Sequence, residues 1–137
     1  MKYFHIICSR NIFTKYFLPL RETTDESCEA AAASGTGDVY QAMGEFRTSL
    51  EFHQLDLSIG QKIGDKTAQM RACANIGATY EALADYDSAR SYHDQLLNIA
   101  TLVNDREAKI KAFSNLGRSS SEDQSVCSLT VTGLHNN

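Results

Sequence analysis

Two histidines are the first candidates for chemistry in this chain, because His53 and His93 stand 40 residues apart in the same local context. Each follows an aromatic residue, and an imidazole can bind a metal or move a proton. A shared metal site would need carboxylate or thiol ligands that recur with both histidines. Glu51 and Asp56 near His53 have no acidic counterparts at positions 91 and 96. The pattern therefore favours packing roles for the histidines and predicts neither a metal site nor an acid–base pair.

Two further motifs could suggest catalysis, and neither carries the residues that the chemistry needs. The stretch GTGD at residues 35–38 lacks the glycine spacing and the lysine of a phosphate-binding loop. The run Ser119–Ser121 has no base or oxyanion motif near it in the sequence. The sequence predicts no catalytic residues, no bound cofactor and no enzymatic activity.

The histidines belong to a repeat of 40 residues. The phrases GDVYQAMGEF at residues 37–46 and GATYEALADY at residues 77–86 share glycine, tyrosine and alanine at matching positions. Shifting the chain by 40 residues gives eleven identities over about forty positions, with no gap. These are Gly37/Gly77, Tyr40/Tyr80, Ala42/Ala82, His53/His93, Leu57/Leu97, Ile59/Ile99, Asp65/Asp105, Ala68/Ala108, Ala72/Ala112, Asn75/Asn115 and Gly77/Gly117. A fixed period of this length predicts a stacked-repeat architecture.

Each repeat is predicted to hold two helices. Residues 66–83 and 86–103 carry small or apolar side chains three and four residues apart, which gives each segment one apolar stripe. The glycines at positions 37 and 77 fall inside first helices, where each costs about 1 kcal/mol relative to alanine. A repeated cost of this kind indicates a close approach between helices, for which a side chain would be too large.

Turn residues mark the helix boundaries. Gly64-Asp65 and Asn104-Asp105 each place a residue that tolerates the left-handed conformation before a good N-cap, and Thr24-Asp25 lies at the same phase. First helices are therefore expected to begin at 25, 65 and 105. Gly44-Glu45 and Ala84-Asp85 mark the tight turns inside each pair.

Composition limits the partners and the compartment. The net charge of −4 comes without a basic stripe, which argues against nucleic acid as a partner. The cysteines at positions 8, 28, 73 and 127 form no C-x-x-C pair and are interpreted as reduced thiols in a cytoplasmic protein. Cys28 and Cys73 fall in helical apolar patterns, where a free cysteine is expected to be a small buried hydrophobe.

The first 24 residues lie outside the clear repeats. Their apolar runs are broken by His5, Arg10 and Lys15, so they form neither a clean signal core nor a membrane span. Moved forward by 40 residues, Ser9 falls on Ser49 and Phe17 on Leu57. One hypothesis is a degenerate second helix over residues 4–17, ended by Pro19, and the alternative is an irregular leader.

The repeat resembles a known family. Ile76-Gly77-x-x-Tyr80 followed by Ala89, and Phe113-x-x-Leu116-Gly117 in the next copy, are similar to the tetratricopeptide pattern. The resemblance implies an all-α solenoid of antiparallel helix pairs with about two and a half repeats. Histidine stands where phenylalanine is usual, the closing proline is absent, and the period is 40 instead of 34 residues. These departures resemble the long-repeat subclass of LGN/Pins-type mitotic scaffolds.

The expected organisation is a series of repeats between two other segments. Repeats are expected at residues 25–64 and 65–104, with a partial repeat at 105–118 and a disordered tail at 119–137. Two hairpins and one orphan helix are short for a solenoid, which normally needs three repeats and a polar cap. The chain is therefore expected to be a fragment of a longer array.

The resemblance also implies a binding surface, because first helices of this family line a concave groove that reads a peptide. Asn75 and Asn115 offer amides that can donate to and accept from a peptide backbone. Arg71, Lys111 and Arg118 would favour an acidic segment. The Lys-then-Asn clamp for a C-terminal carboxylate is missing, which argues against chaperone tails as ligands. The outward positions singled out are Asp38, Gln41, Arg71, Asn75, Glu81, Lys111, Asn115 and Arg118.

Two functions are compatible with these residues. The first is a protein–protein interaction scaffold that holds a peptide or protein segment, with cytoskeletal or cell-division work implied by the resemblance alone. The alternative is a fragment without its own ligand that self-associates through exposed terminal helices. In both cases the partner is protein, with no nucleic acid, no membrane and no metal.

Overall fold

The structure, a computed structural model, describes the backbone of residues 25–135 and the side chains of residues 25–121. This part of the chain is helical between short turns and contains no strand, so the prediction of an all-α fold is confirmed. The helices are α1 (Glu26–Ala42), α2 (Phe46–Ile63), α3 (Lys66–Ala82), α4 (Tyr86–Leu102) and α5 (Arg106–His135). The chain divides into two compact units, Met1–Ala68 and Gln69–Asn137. The hypothetical helix at residues 4–17 lies outside the described residues.

Aspartates fix where the first helix of each repeat begins. The Asp65 carboxylate accepts a hydrogen bond from the Ala68 amide at 3.1 Å, and that of Asp105 accepts one from the Ala108 amide at 3.0 Å. Asp25 is the N-cap of α1. An N-cap side chain satisfies an amide that has no partner inside the helix. Helices α1, α3 and α5 begin directly after these three residues, so the 40-residue period is also a period of N-caps.

Four residues in the left-handed conformation end the helices. Gly44 and Gly64 have φ angles of 79° and 71°, and Ala84 and Asn104 have φ angles of 58° and 57°. Glycine adopts this conformation without strain, and asparagine is the next most tolerant residue. Ala84 is therefore the strained member of the set, because its Cβ crowds the following carbonyl oxygen.

A glycine and a histidine are in close contact inside each helix pair. In the first unit, a Cβ built on Gly37 would lie 2.5 Å from Cε1 of His53. In the second unit, a Cβ built on Gly77 would lie 2.4 Å from Cε1 of His93. Both histidines are completely buried. The predicted close approach at these glycines is thus present in both units, and the atom group that needs the space is an imidazole ring.

Stacked aromatic rings accompany each of these contacts. Tyr40 of α1 lies on Phe52 of α2 with ring centroids 5.5 Å apart, and Tyr80 of α3 lies on Tyr92 of α4 at 5.8 Å. Offset ring pairs of this kind contribute about 0.5–1.5 kcal/mol beyond their buried area. The repeated aromatic pair therefore helps to set how each second helix lies against its first helix.

The end of the chain differs from the expected disordered tail. Helix α5 does not stop near Arg118 but continues from Arg106 to His135. The segment has no proline, and Ser119 does not break the helix because its hydroxyl donates to the Asn115 carbonyl one turn earlier, at 3.1 Å. Ser119 is also fully buried, which ties this turn of α5 to the second unit.

The two cysteines with described side chains have opposite environments. Cys73 is buried, as expected, and burial raises the pKa of its thiol to about 11. Cys28 is exposed, so the expectation that it is buried was wrong. It precedes the buried Ala30 by two residues, which places it about 200° away around α1.

Replacing Ala84 by glycine should stabilise the protein by about 1 kcal/mol, because glycine removes the left-handed strain. Urea denaturation monitored by circular dichroism measures the change. Ala31→Gly, at an exposed position inside α1, is the matched control and should lose about 1 kcal/mol. A loss of stability in both variants would contradict the assignment of strain to Ala84.

Gly77→Ala should destabilise the protein by about 1–3 kcal/mol, because the added methyl group displaces the His93 ring from a packed interior. Gly117 is the control at the same phase of the next repeat, since a Cβ there would meet nothing within 4 Å. In protein dilute enough to be monomeric, Gly117→Ala should be neutral or stabilising by up to about 1 kcal/mol. Equal urea midpoints for the two variants would show that the Gly77–His93 contact is not a constraint.

Candidate functional site

The predicted surface residues lie on first helices in both units. In the first unit, α1 carries Asp38, which is exposed, and Gln41, which is half-buried. In the second unit, α3 and α5 carry the other six, of which Arg71, Lys111 and Arg118 are exposed. Of the eight, the structure brings Glu81, Asn115 and Arg118 into direct contact.

The Glu81 carboxylate is the centre of this contact. Its Oε1 accepts a hydrogen bond from the Ser119 hydroxyl at 2.7 Å and lies 3.0 Å from Nε2 of His93. Its Oε2 accepts two hydrogen bonds from Arg118, from Nη2 at 2.7 Å and from Nε at 3.2 Å. We call Glu81, His93, Asn115, Arg118 and Ser119 the Glu81 cluster. It joins α3, α4 and α5 within the second unit.

The cluster defines the tautomer of His93. Its Nδ1 lies 3.5 Å from the Asn115 side-chain nitrogen, which can only donate. Nδ1 is therefore the acceptor, and the proton is on Nε2, from which it is donated to Glu81. Burial lowers the pKa of His93, and this outweighs the opposite effect of the Glu81 carboxylate. The imidazole is neutral at pH 7, so its bond to Glu81 is a hydrogen bond rather than an ion pair.

Glu81 remains ionised in spite of its surroundings. Burial raises the pKa of its carboxyl group, but hydrogen bonds from Ser119, Arg118 and His93 lower it further than burial raises it. The side chain is 12% exposed, and the Arg118 side chain is 51% exposed. Glu81 therefore carries a negative charge that Arg118 offsets, and the pair adds little net charge to the surface.

The first unit has no equivalent carboxylate at this position, because position 41 holds glutamine. Its histidine instead lies near an acid one turn earlier, with His53 Nε2 3.7 Å from the Asp38 carboxylate. Among the described residues, no group of three or more metal-ligating side chains occurs. The repeated histidines therefore share a packing role and differ in their polar neighbours.

Ser119 and the polar role of His93 were missed by the sequence analysis. Ser119 lies at the same phase as Thr79, whose hydroxyl donates to the Asn75 carbonyl at 2.8 Å, as that of Ser119 does to Asn115. This small hydroxyl residue, recurring after 40 positions, is the signal that could have placed Ser119 inside α5. Contacts of the predicted surface residues with a peptide stay predictions.

Glu81→Gln should destabilise the protein by about 1–3 kcal/mol at pH 7, because Arg118 and Ser119 lose their charged acceptor. The pKa of Glu81 is lower in the folded state, so its stabilisation is present above the ordinary value of 4.5 and is lost as pH falls through the folded-state pKa. The stability difference between wild type and variant should therefore narrow as the pH falls below 4.5. Urea denaturation across pH 3–7 measures it.

Asp87→Asn is the control, because the Asp87 side chain is 92% exposed and lies 3.6 Å from Arg90. A surface pair of this kind contributes about 0–1 kcal/mol, and its loss should change stability little at any pH. A Glu81→Gln difference that stays constant from pH 7 to pH 3 would contradict the role of the Glu81 charge.

No helix in the described part of the chain is long and apolar enough to span a membrane. Comparison with curated proteins gave no match. The family model "Tetratricopeptide repeat" matches residues 28–102, which is more than half of the chain and covers both helix pairs except the first two residues of α1. Repeats of this type mediate protein–protein interaction and are scaffolds rather than enzymes. With its paired antiparallel helices and its repeated glycine, tyrosine and alanine positions, the chain belongs to the tetratricopeptide repeat family.

Proposed function

We propose that the chain is a protein-binding module that holds a segment of a partner on the outward faces of its first helices. The observation that carries the proposal is the Glu81 cluster, which joins two successive first helices, α3 and α5, through hydrogen bonds among the chain's own side chains. A surface that is fixed before binding loses less conformational entropy when the ligand arrives. The cluster therefore supports a preformed binding face in the second unit.

The side chains beside the cluster suggest what this face prefers. Arg71 and Lys111 occupy the same phase on α3 and α5, and both are exposed. We assign the proposed preference for an acidic segment to Arg71 and Lys111 because their exposed cationic side chains recur at the same phase. Exposed charge pairs contribute about 0–1 kcal/mol each, and they mainly raise the association rate and select the partner.

The amides are proposed to hold the backbone of the bound segment. Asn75 and Asn115 are half-buried at the same phase of successive first helices. Asn115 already donates towards His93 and accepts from Arg118 Nη2 at 3.4 Å, so its orientation is fixed. Asp38 and Gln41 of α1 are proposed as a separate contact surface of the first unit, because the family resemblance implies outward positions for them.

The subclass of the repeat and the cellular role of the protein are also proposals. The phrases GDVYQAMGEF, HQLDLSI and YHDQLLNIA are similar to tetratricopeptide repeat protein 28, and the 40-residue period resembles the LGN/Pins-type subclass. On this resemblance we propose a cytoplasmic protein with cytoskeletal or cell-division work. The supporting feature is the period, which the aspartate N-caps mark three times.

A second candidate function is self-association through exposed terminal helices. Ile110 and Phe113 of α5 are 61% and 62% exposed, which is unusual for large apolar side chains only three residues apart. Such an apolar surface on a helix favours association with another helix. The two candidates use different side chains and are therefore separable by mutation.

Binding to fluorescein-labelled 15-residue peptides of acidic, neutral and basic composition tests the first candidate. Acidic peptides should bind most tightly, and Arg71→Ala with Lys111→Ala should weaken them about threefold to tenfold at low salt and less at high salt. Asn75→Ala should weaken all bound peptides with little dependence on salt. Fluorescence anisotropy measures the affinities.

Arg47→Ala with Arg106→Ala removes the same charge elsewhere and is the control. Arg47 is exposed on the second helix α2, and Arg106 precedes Lys111 by five residues, about 140° away around α5. If the control weakens acidic peptides as much as the test variant, only net charge matters. If neither variant changes the affinity, the proposed face does not bind the peptide.

A further inference from the structure

The first helix of each complete pair buries one stripe of residues, on the face that carries the glycine packed against the second helix. The stripe consists of three residues: a first member, a second three positions later, and a glycine seven positions after the first. This glycine is the one that meets the histidine ring. Its apolar members are 8% exposed or less. We call it the glycine stripe; it comprises Ala30, Ala33 and Gly37 in α1 and Met70, Cys73 and Gly77 in α3.

The corresponding stripe in α5 is exposed to solvent. Its members are Ile110, Phe113 and Gly117, and the first two are 61% and 62% exposed. A Cβ built on Gly117 would meet nothing within 4 Å, whereas Gly77 lies against an imidazole. Among the described residues, α5 therefore has no second helix over its glycine stripe, although it carries larger apolar side chains there than α1 or α3.

The residues that cover a glycine stripe have a recognisable order. In α2, Ser49 donates a hydrogen bond to the Gly37 carbonyl at 2.9 Å, and His53 fills the space above the glycine. A covering helix thus needs a small residue, then a ring four residues later. The sequence at residues 4–17 has this order one period earlier, with Ser9 at the small position and Phe13 at the ring position. Ile12 and Phe17 correspond to Phe52 and Leu57.

We propose that residues 4–17 of a second copy of the chain cover the glycine stripe of α5, with Phe13 against Gly117. The inference rests on the self-association proposed above and names the segment responsible for it. Ile110 and Phe113 are 61% and 62% exposed within a single copy, so the helix that residues 4–17 cover belongs to another copy. The contact is head to tail, and such a contact produces growing chains unless rotation closes a ring.

Sedimentation velocity over a range of concentrations tests the proposal. The wild-type mass should rise with concentration above that of a monomer, to growing chains or to a closed ring. Phe13→Asp and Phe113→Asp should each weaken assembly about thirtyfold or more, as expected for a central aromatic contact. Val39→Asp is the control, because Val39 is a large apolar residue that is 49% exposed on α1, and it should assemble like wild type. Circular dichroism of each variant checks that it is folded.

Mixing the Phe13→Asp and Phe113→Asp chains tests the contact more directly than either variant alone. The Phe13→Asp chain keeps an intact α5, and the Phe113→Asp chain keeps an intact first segment, so together they should form a one-to-one complex and nothing larger. A synthetic peptide of residues 1–24 should bind Phe13→Asp protein and not the double variant Phe13→Asp with Phe113→Asp. Failure of both the mixture and the peptide to bind would overturn the proposal.

The remaining outcomes separate this inference from the proposed function. If wild type is monomeric at every concentration, self-association and the inference both fail, and peptide binding by the α3–α5 face is untouched. If Phe113→Asp dissociates the assembly but Phe13→Asp does not, self-association stands and the assignment of residues 4–17 is wrong. A dimer that never grows, formed through α5 on both sides, would also overturn the head-to-tail contact.

Discussion

The contact between a glycine and a histidine ring is the constraint on which each helix pair depends. A Cβ on Gly37 or Gly77 would lie 2.5 Å or 2.4 Å from the nearest imidazole atom, which is closer than packed atoms approach. The glycine lowers the helix propensity of its own segment by about 1 kcal/mol relative to alanine. That loss is offset by a completely buried ring and by the aromatic pair beside it. The packing of each helix pair is thus determined by the fit of one histidine ring against one glycine.

The same ring connects packing to polar chemistry in the second unit. His93 fills the space above Gly77, and its two nitrogens interact with Glu81 and Asn115. A shift of the ring away from α3 would therefore disturb the hydrogen bonds that hold α5. In the first unit, His53 Nε2 lies 3.7 Å from the Asp38 carboxylate of α1. The two histidines are equivalent in sequence and have acids at different helix positions beside them.

Much of the fold could be predicted because its causes are local. Asp65 caps a helix wherever helical residues follow it, and Gly77 signals a close approach through its position in the period. The Glu81 cluster could not be predicted in the same way, because Glu81 has glutamine at the matching position and its partners come from two other helices. The helix continues beyond Arg118 with the Ser119 hydroxyl buried and bonded to Glu81 and to the Asn115 carbonyl, and a Ser-rich composition does not indicate such partners. Cys28 was wrongly predicted to be buried because a pattern of small residues does not determine which face of a helix is buried.

The buried thiol of Cys73 can report on the opening of the second unit. A thiol reacts as its thiolate, and burial raises the pKa of Cys73 to about 11 while also excluding the reagent. Modification therefore requires α3 to open. Cys28, exposed on α1, reports the unhindered reaction in the same molecule. When closing is faster than labelling, the ratio of the two rates gives the fraction of molecules in which Cys73 is accessible.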